Sequence, residues 1–314
     1  MKVSLVVPCY NEEAVVYDFY KETRKVFEGK VESYEFVFVN DGSKDKTLDI
    51  LRAIHKVSDN VKVVSFSRNF GKEAAMYAGL SNASGDYTCV IDADLQQRPE
   101  VVLEMMQILD NEPGVDCVAA YQAERKEGKG ISFLKGGFYK LINKISEVEF
   151  YPGASDFRMM RRKMVDEVVK LTEYYRFSKG LFSFVGFNTK FIPYEVQERA
   201  AGASKWSVIK LFSYAIEGIV GYTTAPLKIA TLSGFAMIAV AFIYLLIALI
   251  VGAVKSAFSS AIAIITLLLI IGGMQFIFLG IIGEYLARTY MQGKNRPVYI
   301  TKEILTYEEE TEED

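Results

Sequence analysis

Between Lys228 and Lys255 the chain runs for 26 residues without a charged side chain, and between Lys255 and Glu284 for 28 more. About 20 apolar residues cross a bilayer as a helix, so each stretch can span with some tilt. A pair of buried core helices is the competing reading, but globular helices rarely run this far without a polar stripe. Membrane spans are therefore predicted at 229–254 and 260–283. Lys255 is the one charge between them, in a short turn, so the pair makes a tight hairpin with both ends on one side. Lys205, Lys210 and Lys228 precede the hairpin, and Arg288, Lys294, Arg296 and Lys302 follow it. By the positive-inside rule that side is the cytoplasm. The start, Met1-Lys2-Val3-Ser4, shows no long apolar signal segment, because Asn11, Glu12 and Glu13 interrupt it. The expected location is the cell membrane, with the N-terminal part and both termini cytoplasmic.

The 314 residues exceed a typical domain, and the 51% hydrophobic content is slightly above the globular average, the excess lying in those two stretches. Cys9, Cys89 and Cys117 are odd in number and widely spaced, with no Cys-x-x-Cys and a single histidine, His55. That supports neither a disulfide framework nor a zinc site. A Cys–His nucleophile pair involving His55 is a weak alternative. Of the 39 acids, six lie in the final stretch from Glu308 to Asp314; the net charge of −3 becomes +3 without them. The acidic end reads as solvated and disordered. The rest lacks the basic excess of a nucleic-acid binder, so no nucleic-acid partner is expected.

Along residues 1 to 121, short β-rich runs alternate with helical patterns, the signature of a parallel sheet with crossover helices. Strands are predicted at 3–8, 35–40, 61–66, 87–92 and 116–121, and helices at 14–27, 46–56, 72–81 and 100–110. In such sheets the ligand lies beyond the carboxyl ends of the strands. The unusual polar clusters fall there. Pro8-Cys9-Tyr10-Asn11-Glu12-Glu13 offers an aromatic that can stack on a base and carboxylates that can bind ribose hydroxyls. Alternatively, Asn11 simply caps a helix whose positive end Glu12 and Glu13 favour. Asn40-Asp41-Gly42-Ser43 again follows a strand, although its Asp and Gly suit any turn. Asp92-Ala93-Asp94 ends the apolar run 87–91. In a strand, residues i and i+2 share a face. Two such carboxylates plus substrate phosphates can hold a divalent cation, although a solvated turn or a helix cap is the commoner meaning of an isolated Asp-x-Asp. No Gly-x-Gly-x-x-Gly follows the first strand and no Walker-type loop occurs, so a nucleotide phosphate needs another holder. A metal on Asp92 and Asp94 would fill that need.

With these residues the chain resembles family 2 glycosyltransferases of GT-A fold, in particular polyprenyl-phosphate hexosyltransferases related to dolichol-phosphate mannose synthase. The resemblance covers nearly the whole chain. It is carried by Val7-Pro8-Cys9-Tyr10-Asn11-Glu12-Glu13, Val39-Asn40-Asp41-Gly42-Ser43, Ser67-Arg68-Asn69-Phe70-Gly71-Lys72-Glu73, Asp92-Ala93-Asp94-Leu95-Gln96, Ser155-Asp156-Phe157-Arg158-Met159-Met160 and Arg199-Ala200-Ala201-Gly202-Ala203-Ser204-Lys205-Trp206. The hairpin and the Ser204-Lys205-Trp206 element look like bacterial enzymes that load glucose or N-acetylglucosamine onto undecaprenyl phosphate.

The resemblance implies a GT-A (Rossmann-like), mostly parallel sheet with flanking helices, followed by an interfacial helix and the two-helix transmembrane hairpin. It implies that Pro8, Tyr10, Glu12, Asp41 and Asp92 hold a nucleotide sugar, UDP-linked by expectation. Asp92, Asp94 and Gln96 would form a Mg²⁺ or Mn²⁺ site. Arg125, Arg199 and Lys205 would meet the lipid phosphate, and Asp94, Asp156, Arg125 and Arg199 would carry the inverting transfer. Asp156 would bind a sugar hydroxyl or orient Arg158; its plainer reading is an ion pair with Arg158 or Arg161. Arg199 and Lys205 read alternatively as ordinary membrane-surface cations.

The chain departs from the family pattern at Gln97-Arg98-Pro99, where many relatives have a histidine or aspartate and two prolines. It departs again at Tyr121-Gln122, where relatives often carry an arginine; Lys126, Lys129 or Lys135 are substitutes for that contact. The expected domains are a catalytic part at 1–203, interfacial amphipathic helices at 204–228 with Trp206 at headgroup level, the two spans, and a cytoplasmic tail at 284–314. The stretch 206–226 also reads as a seam for self-association. Expected partners are a nucleotide sugar, polyprenyl phosphate, the lipid bilayer, a second copy of the chain, and a flippase or downstream membrane glycosyltransferase. Two other functions compete. One is a processive polysaccharide synthase, whose usual Gln-x-x-Arg-Trp and additional spans are missing here; the other is a catalytically silent sugar-nucleotide-binding scaffold.

Overall fold

The computed structural model describes residues 1–122, 140, 142–146, 148–195, 221–254 and 260–306. The chain divides into two units, one of Met1–Tyr214 with Pro297–Asp314 and the other of Ala215–Arg296.

The first unit is built on an eight-stranded mixed sheet. In chain order the strands are β1 (Lys2–Cys9), β2 (Ser33–Asn40), β3 (Val61–Phe66), β4 (Tyr87–Val90), β5 (Cys117–Gln122), β6 (Ala154–Arg161), β7 (Thr189–Tyr194) and β8 (Thr301–Leu305). Their spatial order is β7-β5-β6-β4-β1-β2-β3-β8. Helices α1 (Val16–Phe27), α2 (Thr47–Lys56), α3 (Lys72–Asn82), α4 (Pro99–Asn111), α5 (Arg162–Lys170) and α6 (Ser178–Phe184) flank it. The five strands and four helices expected up to residue 121 are all present, with ends within a few residues of those predicted. Apolar runs form the central strands because both faces are covered. Leu5 and Val7 belong to one core cluster with Phe19, Phe36 and Phe38, while Val6 between them belongs to another with Met76, Leu80 and Met160. Helix α1 shows the complementary period, burying Val16, Phe19, Tyr20, Thr23 and Phe27.

The sheet departs from a simple parallel crossover series at β6. This strand inserts between β4 and β5 and runs antiparallel to both. It tolerates the central position because Phe157, Met159 and Met160 are fully buried, and Arg158 lays its guanidinium over the Phe182 ring at 4.0 Å. A second addition is β8, antiparallel on the outer edge of β3. Tyr299 stacks on Phe66 at 4.7 Å, and Arg52 donates to Glu303 at 2.6 Å. The tail predicted as 284–314 thus contributes an edge strand to the sheet of the first unit, which covers backbone groups that an open edge would expose.

The second unit contains α7 (Ala225–Val254) and α8 (Ser260–Gly293), of 30 and 34 residues. At ~1.5 Å per residue they are about 45 and 51 Å long, more than the hydrocarbon thickness of a bilayer. Large apolar side chains stand exposed along both, including Leu232, Phe235, Leu268 and Phe276. The Tyr285 hydroxyl donates to the Thr223 carbonyl at 2.6 Å, joining the late part of α8 to the residues before α7. Among the described residues one stretch, Ile270–Gly293, is long and apolar enough to cross a membrane by length and composition. It reaches ten residues beyond the predicted end at 283, carrying Glu284 and Arg288 as an i,i+4 ion pair at 3.1 Å.

Gly79 sets the height of α3 over the sheet. A Cβ built there would lie 2.2 Å from Val6 Cγ1 and 3.3 Å from Val39 Cγ2. Gly79→Ala is expected to cost roughly 1–3 kcal/mol through overpacking, read as a lowered melting temperature of the detergent-solubilised full-length protein.

Candidate active site

Strands β1, β2 and β4 end at one rim of the sheet, and a cleft of about 290 Å³ opens there. Pro8, Tyr10, Glu12, Asp41, Asp92 and Asp94 all line it. Tyr10 is 40% exposed, an aromatic face open to a planar ligand. Behind it, the loops after β1 and β2 lock together. Asn11, in the left-handed region at φ 56°, donates its N–H to Ser43 Oγ at 3.0 Å, and its amide oxygen accepts from the Lys44 N–H at 2.9 Å. The Glu12 N–H donates to Thr47 Oγ1 at 2.9 Å. Asn11 is therefore no helix cap: α1 starts five residues later, and its boundary residue Val15 makes no side-chain cap.

Asp41 lines the cleft, but its carboxylate is engaged by the loop after β3. Oδ1 accepts from the Phe70 N–H at 2.6 Å, and Oδ2 accepts from Asn69 Nδ2 at 2.9 Å and the Gly71 N–H at 3.0 Å. Burial raises its pKa, against the lowering effect of those amides and of Arg68. Gly42, at φ 62°, is required here, because a Cβ would meet the Arg68 carbonyl carbon at 2.3 Å.

On the other wall, Asp92 is held from two sides. Its N–H donates to Gln97 Oε1 at 2.9 Å, and Gln97 Nε2 donates back to Asp92 Oδ2 at 3.2 Å. The departure from the family pattern at Gln97 thus yields a buried buttress for the motif. Asp94 Oδ1 accepts the Gln96 N–H at 3.1 Å across Leu95, which takes φ 58°. Gln96 is not among the residues lining the cleft.

Lys72 is the residue that sequence reasoning missed. As first residue of α3 it places its ammonium 2.6 Å from Asp92 Oδ1 and 3.5 Å from Asp156 Oδ2. The register of β4 with β6 pairs Val90 with Arg158; carried two residues further, it brings Asp156 alongside Asp92. Burial alone would lower the Lys72 pKa, but Asp92 and Asp156 outweigh it and hold the pKa above the usual lysine value. Burial would likewise raise Asp156, but Lys72, Lys179 and Arg158 keep it below the ordinary carboxylate range. The expected pair with Arg161 does not form. That guanidinium donates to the carbonyls of Val115 and Leu109 and to the Tyr87 hydroxyl, at 2.8, 2.6 and 3.2 Å. Arg158 donates to the Ser155 carbonyl at 2.9 Å. The sequence held two signals: Lys72 lies in the Ser67–Glu73 element, and it opens the helix after β3, on the same rim as Asp92.

Among the described residues no group of three or more His, Cys, Asp or Glu side chains is arranged to hold a metal alone. The donor set still fits a hard cation, since one or two carboxylates plus substrate phosphates are its usual complement. The field between Asp92 and Asp156 already holds one cation, and Oδ1 of Asp156 is buried without a hydrogen-bond partner. The three cysteines are buried thiols, and His55 Nδ1 lies 2.7 Å from the Val61 carbonyl oxygen. Arg125, Arg199 and Lys205 lie outside the described residues, as do Lys126, Lys129, Lys135 and Trp206.

Residues 4–169 match the family model described as glycosyl transferase family 2. The chain belongs to that family. It is 41% identical to a prophage bactoprenol glucosyl transferase homolog of Escherichia coli K12, over 97% of this chain and 99% of the relative. It is also 41% identical to the SfII prophage-derived bactoprenol glucosyl transferase of Shigella flexneri, over 96% of this chain and 98% of the relative.

In this family 2 glycosyltransferase a second layer of charge supports the site. Glu73 accepts from the Ser178 N–H at 2.8 Å and from the Ser178 hydroxyl, tying α3 to the start of α6. Burial, then Asp156, pushes its carboxyl up to about 7, against Ser178 and Arg176. A carboxyl raised in the folded state contributes stability at low pH, and that contribution is lost as pH rises through about 7. Glu73→Gln is expected to melt near wild type at pH 5 and increasingly above it toward pH 8, in thermal scans of the intact protein.

Proposed function

We propose that the chain transfers glucose or N-acetylglucosamine, from a nucleotide sugar of UDP type, to undecaprenyl or another polyprenyl phosphate at the cytoplasmic face of the cell membrane. The observation that carries the reading is the cleft itself, with Tyr10 and Glu12 on one wall and Asp92 and Asp94 on the other. Likeness over nearly the full chain to relatives named bactoprenol glucosyl transferases supports the acceptor. The 30- and 34-residue helices support a membrane hairpin of two spans, and the lysines and arginines flanking the pair support cytoplasmic ends.

A lipid phosphate is already ionised near neutral pH, so the reaction needs positioning and charge management more than a general base. The acceptor oxygen forms a bond to the sugar C1 as the C1–O bond to the nucleoside diphosphate breaks, and the electron pair leaves with the diphosphate. In-line attack on an α-linked donor inverts the centre and gives a β-linked lipid product. Tyr10 stacks on the base and Glu12 takes a ribose hydroxyl, while Asp41 keeps the loop after β3 in place. Asp92 and Asp94, with Gln96, would hold Mg²⁺ or Mn²⁺, which when bound supplies charge stabilisation to the leaving diphosphate. Arg125, Arg199 and Lys205 bring the anionic acceptor toward an anionic donor.

Purified protein incubated with undecaprenyl phosphate, Mg²⁺ or Mn²⁺ and a panel of nucleotide sugars should yield one lipid-phosphate-hexose by mass spectrometry. Asp94→Ala should lower its formation by about 10²–10³-fold, the range for a lost electrostatic stabiliser. No product with any donor, despite nucleotide-sugar binding, would overturn the reading in favour of a silent scaffold.

A further inference from the structure

Lys72 meets Asp92 in a way that glycosyl transfer alone does not call for. Its ammonium lies 2.6 Å from Oδ1 and 2.9 Å from Oδ2, so one cation already bridges both oxygens of the carboxylate. Its remaining anionic neighbour, Asp156 Oδ2, stands at 3.5 Å, and the other Asp156 oxygen is buried without a hydrogen-bond partner. Asp92 itself has little freedom to turn away, since Gln97 holds both its N–H and its Oδ2. The lysine side chain is 43% exposed, and its backbone follows a loop fixed on Asp41. A divalent ion takes carboxylate oxygens at about 2.0–2.2 Å. Two cations on one oxygen pair repel strongly where water is partly excluded.

We propose that Lys72 competes with the divalent ion for Asp92, an internal counter-cation that neutralises the carboxylate in the empty cleft and has Asp156 as its second anchor. The inference rests on the metal reading given above. It makes Lys72 a positioning residue: the ion binds weakly to the free protein and firmly only when a nucleotide diphosphate adds its own oxygens. An empty site is thereby kept from loading ions that arrive without substrate.

The test is Mn²⁺ binding to the full-length protein in detergent, followed by the electron paramagnetic resonance signal of free Mn²⁺. Without nucleotide, Lys72→Met should bind Mn²⁺ about fivefold more tightly than wild type, the upper range for a half-exposed ion pair. Lys72→Arg, which keeps the charge, should bind no more tightly than wild type. Adding UDP should improve affinity more in wild type than in Lys72→Met. Misfolding can only weaken binding, so a gain identifies competition; Lys72→Gln guards against a packing defect peculiar to methionine. Affinities of both neutral variants equal to or below wild type would overturn the inference alone. Absence of Mn²⁺ binding from every variant and from wild type, with and without UDP, would overturn the metal reading and the inference with it.

Discussion

Two carboxylates on neighbouring strand ends repel each other unless a cation stands between them, and Lys72 meets that condition for Asp92 and Asp156. The rest of the rim follows from where that ammonium must be. The lysine has to open α3, so the helix must lie low on β1 and β2, which the missing side chain at Gly79 permits. The strand bearing Asp156 has to run against β4, because only an antiparallel neighbour brings its beginning to the rim where β4 ends. Glu73, one residue along, is driven toward neutrality by burial and then by Asp156, while its hydrogen bonds hold α6.

The polar residues around the cleft spend much of their hydrogen-bonding capacity on one another. Asn11, Ser43 and Thr47 join the first two loops, Asp41 gathers three donors from the third, and Gln97 braces the fourth. Helix α1 begins without a side-chain cap, whereas at the start of α2 Asp45 Oδ1 accepts the Thr47 N–H at 3.0 Å and its Oδ2 accepts the Glu13 N–H at 3.1 Å, so one carboxylate serves both a helix end and a loop. Such cross-bracing lowers the cost of ordering the walls when a ligand arrives, because the entropy has been given up during folding. Tyr10, exposed at the mouth, is the group left to adapt.

Much of this was legible in the residues. Strands β1 to β5 announce themselves as continuous β-branched and aromatic runs because both faces are buried, and Asp92 and Asp94 declare themselves by spacing at a strand end. The loss begins where pattern and environment part. β6 reads Ala-Ser-Asp-Phe-Arg-Met-Met-Arg, too polar to advertise a central strand, and its Asp156 is the residue that meets Lys72. β8 is five residues long and pairs with a strand more than 200 positions earlier, a contact no local window contains. Lys72 stands in the Ser67–Glu73 element without an assigned role, since its meaning depends on a partner 84 residues away that only the reversal of β6 delivers. Asp41 reads as a nucleotide contact and Asn11 as a helix cap; that their oxygens chiefly fasten loop backbone could not be read without geometry.

The edge strand β8 has a consequence for biogenesis. Residues 301–305 complete a sheet whose other strands all precede both long helices in the chain. During synthesis β3 therefore presents a bare edge while more than two hundred later residues, both long apolar helices among them, are being made. Closure is a long-range event of the slow kind, and until it happens the unfinished sheet is open to pairing with other chains. The final strand thus works as a late-acting latch, whose engagement marks the point at which the nascent chain is safe from its neighbours.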